Sequence, residues 1–110
     1  MHEESVEIKK QLMRKGLLEY CILTVISAER MYSSDILKSL KDADLLVVEG
    51  TLYPLLSRLK TQGLLTYDWE ESKSGPPRKY YELTTSGKET LRDLTKTWKE
   101  LHASINALTK

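Results

Sequence analysis

The chain is poor in cysteine and has no long apolar run or signal-peptide pattern, and each of these absences excludes a class of protein. Its 110 residues include one cysteine, so no disulfide can form within the chain. No apolar run approaches the roughly 20 residues that span a bilayer, so we expect no membrane association. The segment Met1–Glu4 lacks the basic and apolar regions of a signal peptide, which predicts a cytoplasmic location. The length fits a single domain with a modest core, which hints that partner subunits supply further burial.

Residue patterns that carry catalysis are also missing. The sequence has no glycine-rich phosphate loop and no metal-ligand cluster. No nucleophile or acid lies at the spacing of a known catalytic motif from His2 or His102. Cys21 lies in the apolar run Leu17–Leu23, where a buried, inert thiol is the expected state. We therefore predict a protein without enzymatic activity, cofactor or metal.

The chain also lacks a strong charge of either sign. A net charge of +1 argues against a polycation that binds nucleic acid indiscriminately. The segment from Lys73 to Lys79 is nonetheless basic and free of acids, whereas Asp68, Glu70 and Glu71 precede it. Any basic surface is therefore narrow, and affinity for DNA would depend on two-fold repetition of a half-site.

What the chain does have is a pair of amphipathic helical patterns. The second, from Glu49 to Lys60, has an apolar stripe of helical period: Leu52, Leu55, Leu56 and Leu59. Its polar residues suit phosphate oxygens and base edges: Thr51, Ser57, Arg58 and Lys60. The first pattern runs from Ser34 to Lys41. Together they predict a helix-turn-helix whose second helix enters the major groove. Pro54 implies either a later start of that helix or a bend at Gly50.

A β-hairpin pattern follows the second helix. Gly63 is a plausible left-handed stop, after which Leu65, Tyr67 and Trp69 alternate with polar residues. Turn-forming residues at 72–77 interrupt this strand, and an extended pattern resumes over 78–84. A hairpin in this position is a wing, and we expect Trp69 to pack on it. The predicted fold is mainly α with a two-stranded β-wing: a winged helix-turn-helix flanked by N- and C-terminal dimerisation helices.

The C-terminal segment has a heptad seam of apolar residues. Thr84 or Ser86 can cap its start, and the seam comprises Leu91, Leu94, Trp98, Leu101, Ile105 and Leu108. The helix could lie against its own domain, but a seam this long favours a partner subunit. A weaker amphipathic segment, Ser5–Arg14, contributes Leu12 to this interface. We thus divide a single compact unit, 1–110, into a DNA-binding domain at 15–84 and interface helices at 4–14 and 85–109.

Two motifs resemble the signature of the PadR family of bacterial transcriptional regulators. They are Gly50-Thr51-Leu52-Tyr53-Pro54 with Leu59 and Gly63-Leu64, and Arg78-Lys79-Tyr80-Tyr81 with Leu83-Thr84 and Gly87. The resemblance runs from about Gly16 to the C-terminus, and the single C-terminal helix is similar to the family's short subgroup. It implies a homodimeric regulator, most simply a repressor, that binds a palindromic operator in double-stranded DNA. Ser33-Ser34 replaces the usual glycine-tyrosine pair, although Ser33 can still cap its helix.

The predicted DNA-contacting residues combine both helices and the wing. They are Ser33, Ser34, Thr51, Tyr53, Ser57, Arg58, Lys60, Lys73, Arg78 and Lys79. Tyr53 could donate to a phosphate or pack against the wing. The alternative function is a winged-helix protein-interaction module without DNA binding, which the basic wing disfavours.

Trp98 has two interpretations. It could pack in the dimer seam, or it could hold the helices apart and, with His102 nearby, line a cleft for a planar aromatic effector. Resemblance to the short PadR-like regulators allows such a cleft at the dimer interface.

Overall fold

The computed structural model describes residues 2–72 and 74–110. Its helices are α1 (His2–Ala28), α2 (Ser33–Asp42), α3 (Glu49–Thr61) and α4 (Thr85–Leu108), and its strands are β1 (Met31–Tyr32), β2 (Leu65–Ser72) and β3 (Gly75–Leu83). The mainly helical fold with a winged hairpin is confirmed. In the described ranges, no helix is both long enough and apolar enough to cross a membrane.

The sheet has one strand more than the sequence predicted. Its order is β1-β3-β2, all antiparallel, because the two-residue strand β1 pairs with Tyr80 and Tyr81 of β3. The wing strands are also longer than predicted, since Ser72 and the segment 75–77 lie in strands rather than in a turn. Pro76 and Pro77 are tolerated because they lie opposite an irregularity between Glu70 and Ser72, where ladder hydrogen bonds are interrupted.

The core lies where α1, α2, α3 and the sheet meet. The predicted stripe of α3 is buried throughout, and Leu52 has 0% of its surface exposed. The other buried members come from every neighbouring element: Ile22, Leu23, Ile26, Met31, Ile36, Leu40, Leu65, Tyr81 and Leu83. The winged part of the chain therefore completes an apolar core without help from another molecule.

The start of α2 differs from the prediction at Ser33. The capping position is Tyr32, one residue earlier, and the Asp35 carboxylate accepts a hydrogen bond from the Tyr32 backbone N–H at 3.2 Å. Ser33 is the first residue of the helix, so its expected role as a cap is wrong. An acid in the first turn also complements the helix dipole.

Helix α3 begins at Glu49 and contains Pro54, so the later start that Pro54 suggested is wrong. Its last helical residue is Thr61, and the stop predicted at Gly63 is present, because the φ of 78° places Gly63 in the left-handed region. The N–H of Leu64 donates to the carbonyl of Leu59 at 3.0 Å, and that of Gly63 donates to Lys60 at 2.9 Å. These two bonds form a Schellman motif and direct the chain into β2.

The terminal helices pack against each other, and both also contact β3. Helix α1 runs without a break through Gly16, so the predicted segment Ser5–Arg14 is its first part. The Thr84 hydroxyl caps α4 by accepting from the Gly87 N–H at 2.9 Å. A Cβ on Gly87 would overlap the Leu64 carbonyl, so only glycine permits this approach. The Tyr20 hydroxyl donates to Thr95 Oγ1 at 3.1 Å and joins α1 to α4.

Candidate DNA-binding surface and dimer face

The polar residues of α3 do not share one face. At about 100° per residue, the row opposite the buried leucines consists of Gly50, Pro54, Ser57 and Thr61, all exposed. Thr51 and Arg58 flank this row on one side, and Tyr53 and Lys60 flank it on the other. We call the central four residues the outer row. A groove-binding helix would present the outer row to DNA, with one flank on each side.

The first flank is turned toward α1. Arg58 Nη1 lies 3.1 Å from Glu19 Oε1, and the Glu19 side chain is only 24% exposed. Thr51 lies at the rim of a cleft bordered by α1 rather than beside Ser57. The structure therefore separates Thr51 and Arg58 from the outer row and engages the Arg58 guanidinium within the protein.

The second flank is turned toward the wing and the start of α2. The Tyr53 and Ser33 hydroxyls hydrogen-bond to each other at 3.3 Å, while 45% of the Tyr53 surface stays exposed. Ser34 is exposed in the first turn of α2. Lys60 Nζ lies 5.4 Å from the centre of the Tyr67 ring, across the gap between α3 and β2. This arrangement brings Ser33, Tyr53 and Lys60 to one side of α3.

The wing has a basic face, defined here as Tyr67, Trp69 and Lys79. Lys79 Nζ lies 4.6 Å from the Tyr67 ring centre and 5.6 Å from that of Trp69. Trp69 does not pack as expected, because 62% of its surface is exposed and its ring meets Tyr67 only at an edge. Tyr81 continues this face into the core, where burial and then the nearby Tyr67 and Tyr53 raise the pKa of its hydroxyl.

The opposite face of the wing is acidic. Its carboxylates, Asp68, Glu70 and Glu82, lie 3.4, 3.9 and 3.6 Å from the Arg30 guanidinium. A stack of rings and cations crosses the same face, with Arg78 over Tyr32 at 4.1 Å, Tyr32 on Tyr80 at 4.7 Å, and Arg30 over Tyr80 at 4.4 Å.

Arg78 and Lys79 therefore project to opposite faces of β3, as neighbours in a strand must. Only Lys79 joins Lys60. Lys73, the third cation predicted for the wing, lies outside the described residues.

The apolar residues of the terminal helices divide into two groups. Leu91 and Leu94 pack against the core of their own chain. Leu12, Leu101, Ile105 and Leu108 are 66%, 52%, 52% and 84% exposed. The first part of the heptad seam is thus used internally, and the rest projects into solvent.

A cleft of about 1150 Å³ lies between α1, the loop 43–48 and α3. Its walls are mainly apolar and include Leu12, Leu46, Val48, Leu55 and Trp98. Trp98 is 37% exposed, and the ring of His102 lies 5.5 Å from it, centre to centre. Cys21 also borders the cleft, and burial raises the pKa of its thiol, which favours the neutral, unreactive form.

Comparison with known proteins agrees with this architecture. The profile of the "Transcriptional regulator PadR-like family" matches residues 22–93, from the core end of α1 into α4. The chain belongs to the PadR-like family of transcriptional regulators. A PadR-like transcription factor from Bacteroides fragilis is 55% identical over 93% of this chain and 98% of its own, with a TM-score of 0.80.

Two further PadR-like structures extend the likeness. A family member from Eggerthella lenta is 33% identical over 99% of this chain and 96% of its own, with a TM-score of 0.85. One from Bacillus cereus is 37% identical over 90% and 97%, with a TM-score of 0.79. These three matches each cover at least 90% of this chain and of the other chain.

Membership establishes the broad function. PadR-like proteins are DNA-binding transcriptional regulators and typically dimerise. The prediction that this chain is not an enzyme is therefore confirmed, and the protein-interaction module without DNA binding is set aside. Sequence reasoning missed Glu19, Arg30 and the exposure of Trp69. The helical angle could have separated Thr51 from Ser57, but no local signal indicates which distant element each flank meets.

Proposed function

We propose that this PadR-like protein is a homodimeric repressor that binds a palindromic operator. Each subunit inserts α3 into the major groove and lays its wing along the adjacent backbone. The observation that carries this proposal is the exposed outer row of α3, with Lys60 and Lys79 beside it on the wing side. Small and hydroxyl-bearing residues in the row allow close approach to base edges, while the lysines pair with phosphates.

The predicted contact residues take different roles in this arrangement. Ser57 and Tyr53 are the candidates for base and phosphate contacts from α3, and Ser33 and Ser34 reach the backbone beside them. Lys60, Lys79 and Lys73 pair with phosphates, and Arg78 does so from the other wing face. Thr51 stays a candidate at the edge of the groove. Arg58 positions α3 through Glu19 more than it contacts DNA, because its guanidinium is already paired at 3.1 Å.

Salt dependence separates these roles. Each phosphate paired with a lysine contributes about −0.9 to the slope of log affinity against log salt concentration. Lys79→Ala should weaken binding to all sequences alike and flatten the slope, whereas Ser57→Ala should alter sequence preference at one position of the half-site. Lys96→Ala, an exposed lysine on α4, is the matched control. Fluorescence anisotropy with duplexes selected from a random pool by the wild-type protein measures both quantities. Unchanged binding by both Lys79→Ala and Ser57→Ala would refute this surface.

Dimerisation supplies the two-fold symmetry that such an operator requires. We place Leu12, Leu101, Ile105 and Leu108 in the interface, together with Trp98 and the outer edges of Leu91 and Leu94. The exposed apolar surface of α1 and α4 supports this placement, since single-chain packing leaves it in water. Two α3 helices should then lie about 34–36 Å apart, one turn of DNA.

A planar aromatic effector releases the operator in this proposal. The cleft bordered by Trp98 is large, mainly apolar and adjacent to both α1 and α3. A ring stacked on Trp98 would shift the two winged parts relative to each other and would lower operator affinity. By linkage, the operator would lower effector affinity by the same factor.

Fluorescence tests the effector site directly. In a Trp69→Tyr background Trp98 is the only tryptophan, because the chain contains two. A panel of planar cationic and phenolic dyes should quench its emission. Trp98→Ala, whose binding is followed by the anisotropy of the dyes' own fluorescence, should not bind them. His102→Ala should weaken binding less, because His102 meets Trp98 only at a tilt. Unchanged dye binding by Trp98→Ala would mean that Trp98 only packs in the interface and does not bind the effector.

A further inference from the structure

Trp69 is the least protected aromatic on the basic face of the wing. The face follows alternate residues of β2, and exposure rises along it, from 2% at Leu65 through half-buried Tyr67 to 62% at Trp69. Leu65 and Tyr67 belong to or pack on the core, but Trp69 lies beyond it. Leaving the apolar surface of an indole in water costs free energy, so its exposure here indicates that another molecule covers it.

The surroundings of Trp69 indicate the chemistry of that partner. Two ammonium groups approach the Tyr67 ring, Lys60 from α3 and Lys79 from β3, at 5.4 and 4.6 Å. Across the hairpin, Trp69 pairs with Lys79 and Tyr67 pairs with Tyr81, so neither of these two strand pairs includes an acid. The carboxylates of Asp68 and Glu70 project to the other face. A positive potential therefore borders the exposed indole on the side nearest α3.

We propose that Trp69 contacts DNA, with its indole packed on the deoxyribose of a backbone whose phosphate is held between Lys60 and Lys79. Deoxyribose offers an apolar surface for the ring, and the ammonium groups neutralise the adjacent phosphate. The carboxylates of Asp68, Glu70 and Glu82 on the acidic face would repel a phosphate placed beside them, so we place the sugar contact on the basic face. This inference rests on the proposed function, because it assumes that the outer row of α3 faces the groove.

The experiment uses a full-length protein with one tryptophan. Trp98→Phe leaves Trp69 as the only indole in the chain. The probe is a fluorescein-labelled duplex selected from a random pool by the wild-type protein, with the unlabelled duplex for emission measurements. Trp69 emission should change on titration, saturate at the DNA concentration that saturates anisotropy, and recover when salt dissociates the complex. Saturated anisotropy with unchanged emission would overturn the proposal and leave the proposed function intact.

Substitution supplies an independent readout. Trp69→Ala should weaken binding to selected and random duplexes alike by roughly three- to tenfold, the range of an aromatic contact, whereas Trp69→Phe should retain most affinity. Thr66→Ala, exposed on the opposite face of the same strand, is the control and should bind as wild type. Equal affinity of Trp69→Ala and wild type would overturn the proposal. Absence of DNA binding by the wild-type protein would overturn the proposed function and this inference together.

Discussion

The winged region and the helical arms of this protein use the same sequence pattern to different ends. By winged region we mean α2, α3, the sheet and the last part of α1; the helical arms are the first part of α1 and the last part of α4. The leucine stripe of α3 is buried within the chain, whereas Leu101 and Ile105 of α4 are each 52% exposed. Both stripes have helical spacing, but only one finds its cover in the same molecule.

The difference teaches that periodicity identifies an apolar face but not the molecule that covers it. The winged region surrounds α3 with two helices and a sheet, so its stripe has neighbours on every side. The arms extend past that core, in a molecule 52 Å along its longest axis. An apolar stripe that outlasts its own core is therefore the sequence feature to associate with a partner subunit.

The largest predicted effect comes from placing a charge on the exposed stripe. Leu101→Glu should convert the dimer to a monomer, because burying an unpaired carboxylate in an interface costs several kcal/mol. Ala103→Glu adds the same charge on the opposite side of α4 and should stay dimeric. Sedimentation velocity distinguishes the two states. A wild-type monomer at micromolar concentration would contradict the division between winged region and arms.

A smaller effect should follow from disturbing the joint between the two regions. Gly87→Ala forces a Cβ onto the Leu64 carbonyl and should lower the free energy of unfolding by about 1–3 kcal/mol, as overpacking does. Gly50→Ala is the matched control, since no described atom other than those of its chain neighbours and of its own helix backbone lies within 4 Å of the added Cβ. That change should be neutral or should stabilise by up to about 1 kcal/mol. Urea denaturation measures both, and similar losses in the two variants would argue against a tight joint at Gly87.

The sequence predicted the winged region well for local reasons. Each of its signals comes from residues that are near each other in the chain: the apolar stripe of α3, the stop at Gly63 and the alternation in β2. Gly63 alone predicted a left-handed residue after α3, and the structure has a Schellman motif at that position.

What the sequence did not reveal depends on residues that are distant in the chain. Arg58 meets Glu19 across 39 positions, and β1 exists only because β3 lies beside it. The two faces of the wing could be separated by strand alternation, but the pairing of Arg30 with Asp68, Glu70 and Glu82 could not. Trp69 was expected to pack because aromatic residues in strands usually find a neighbouring surface, and here the strand extends beyond the core.

The pair formed by Arg58 and Glu19 links the winged region to α1, and its effect should be moderate. If Arg58 acts by positioning α3, then Arg58→Ala and Glu19→Gln should weaken operator binding to a similar extent, and the double variant should be no worse than either single one. The salt slope should change little, because no phosphate contact is lost. Additive losses, with a flatter slope only in Arg58→Ala, would instead assign Arg58 to the DNA backbone.

The smallest predicted effect concerns the thiol at the boundary of the two regions. Because burial raises the pKa of Cys21, its thiolate fraction at pH 8 should be lower than in the unfolded chain, and iodoacetamide should alkylate it more slowly in buffer than in urea. Mass spectrometry follows the reaction. The monomer made by Leu101→Glu should react faster than the wild-type dimer if the partner subunit covers the cleft, and an equal rate would place the partner elsewhere.

Because α1 is one unbroken helix, a movement at one of its ends is transmitted to the other. With 27 residues it is about 40 Å long, and it carries Leu12 in one arm and Ile26 in the core at the other end. A rigid rod of this length that tilts by about 5° moves its far end by roughly 3.5 Å. In the proposed dimer, small rearrangements where the two subunits touch would thus be magnified at the core end of α1. Two such helices related by symmetry would change the distance between their core ends by up to twice that displacement.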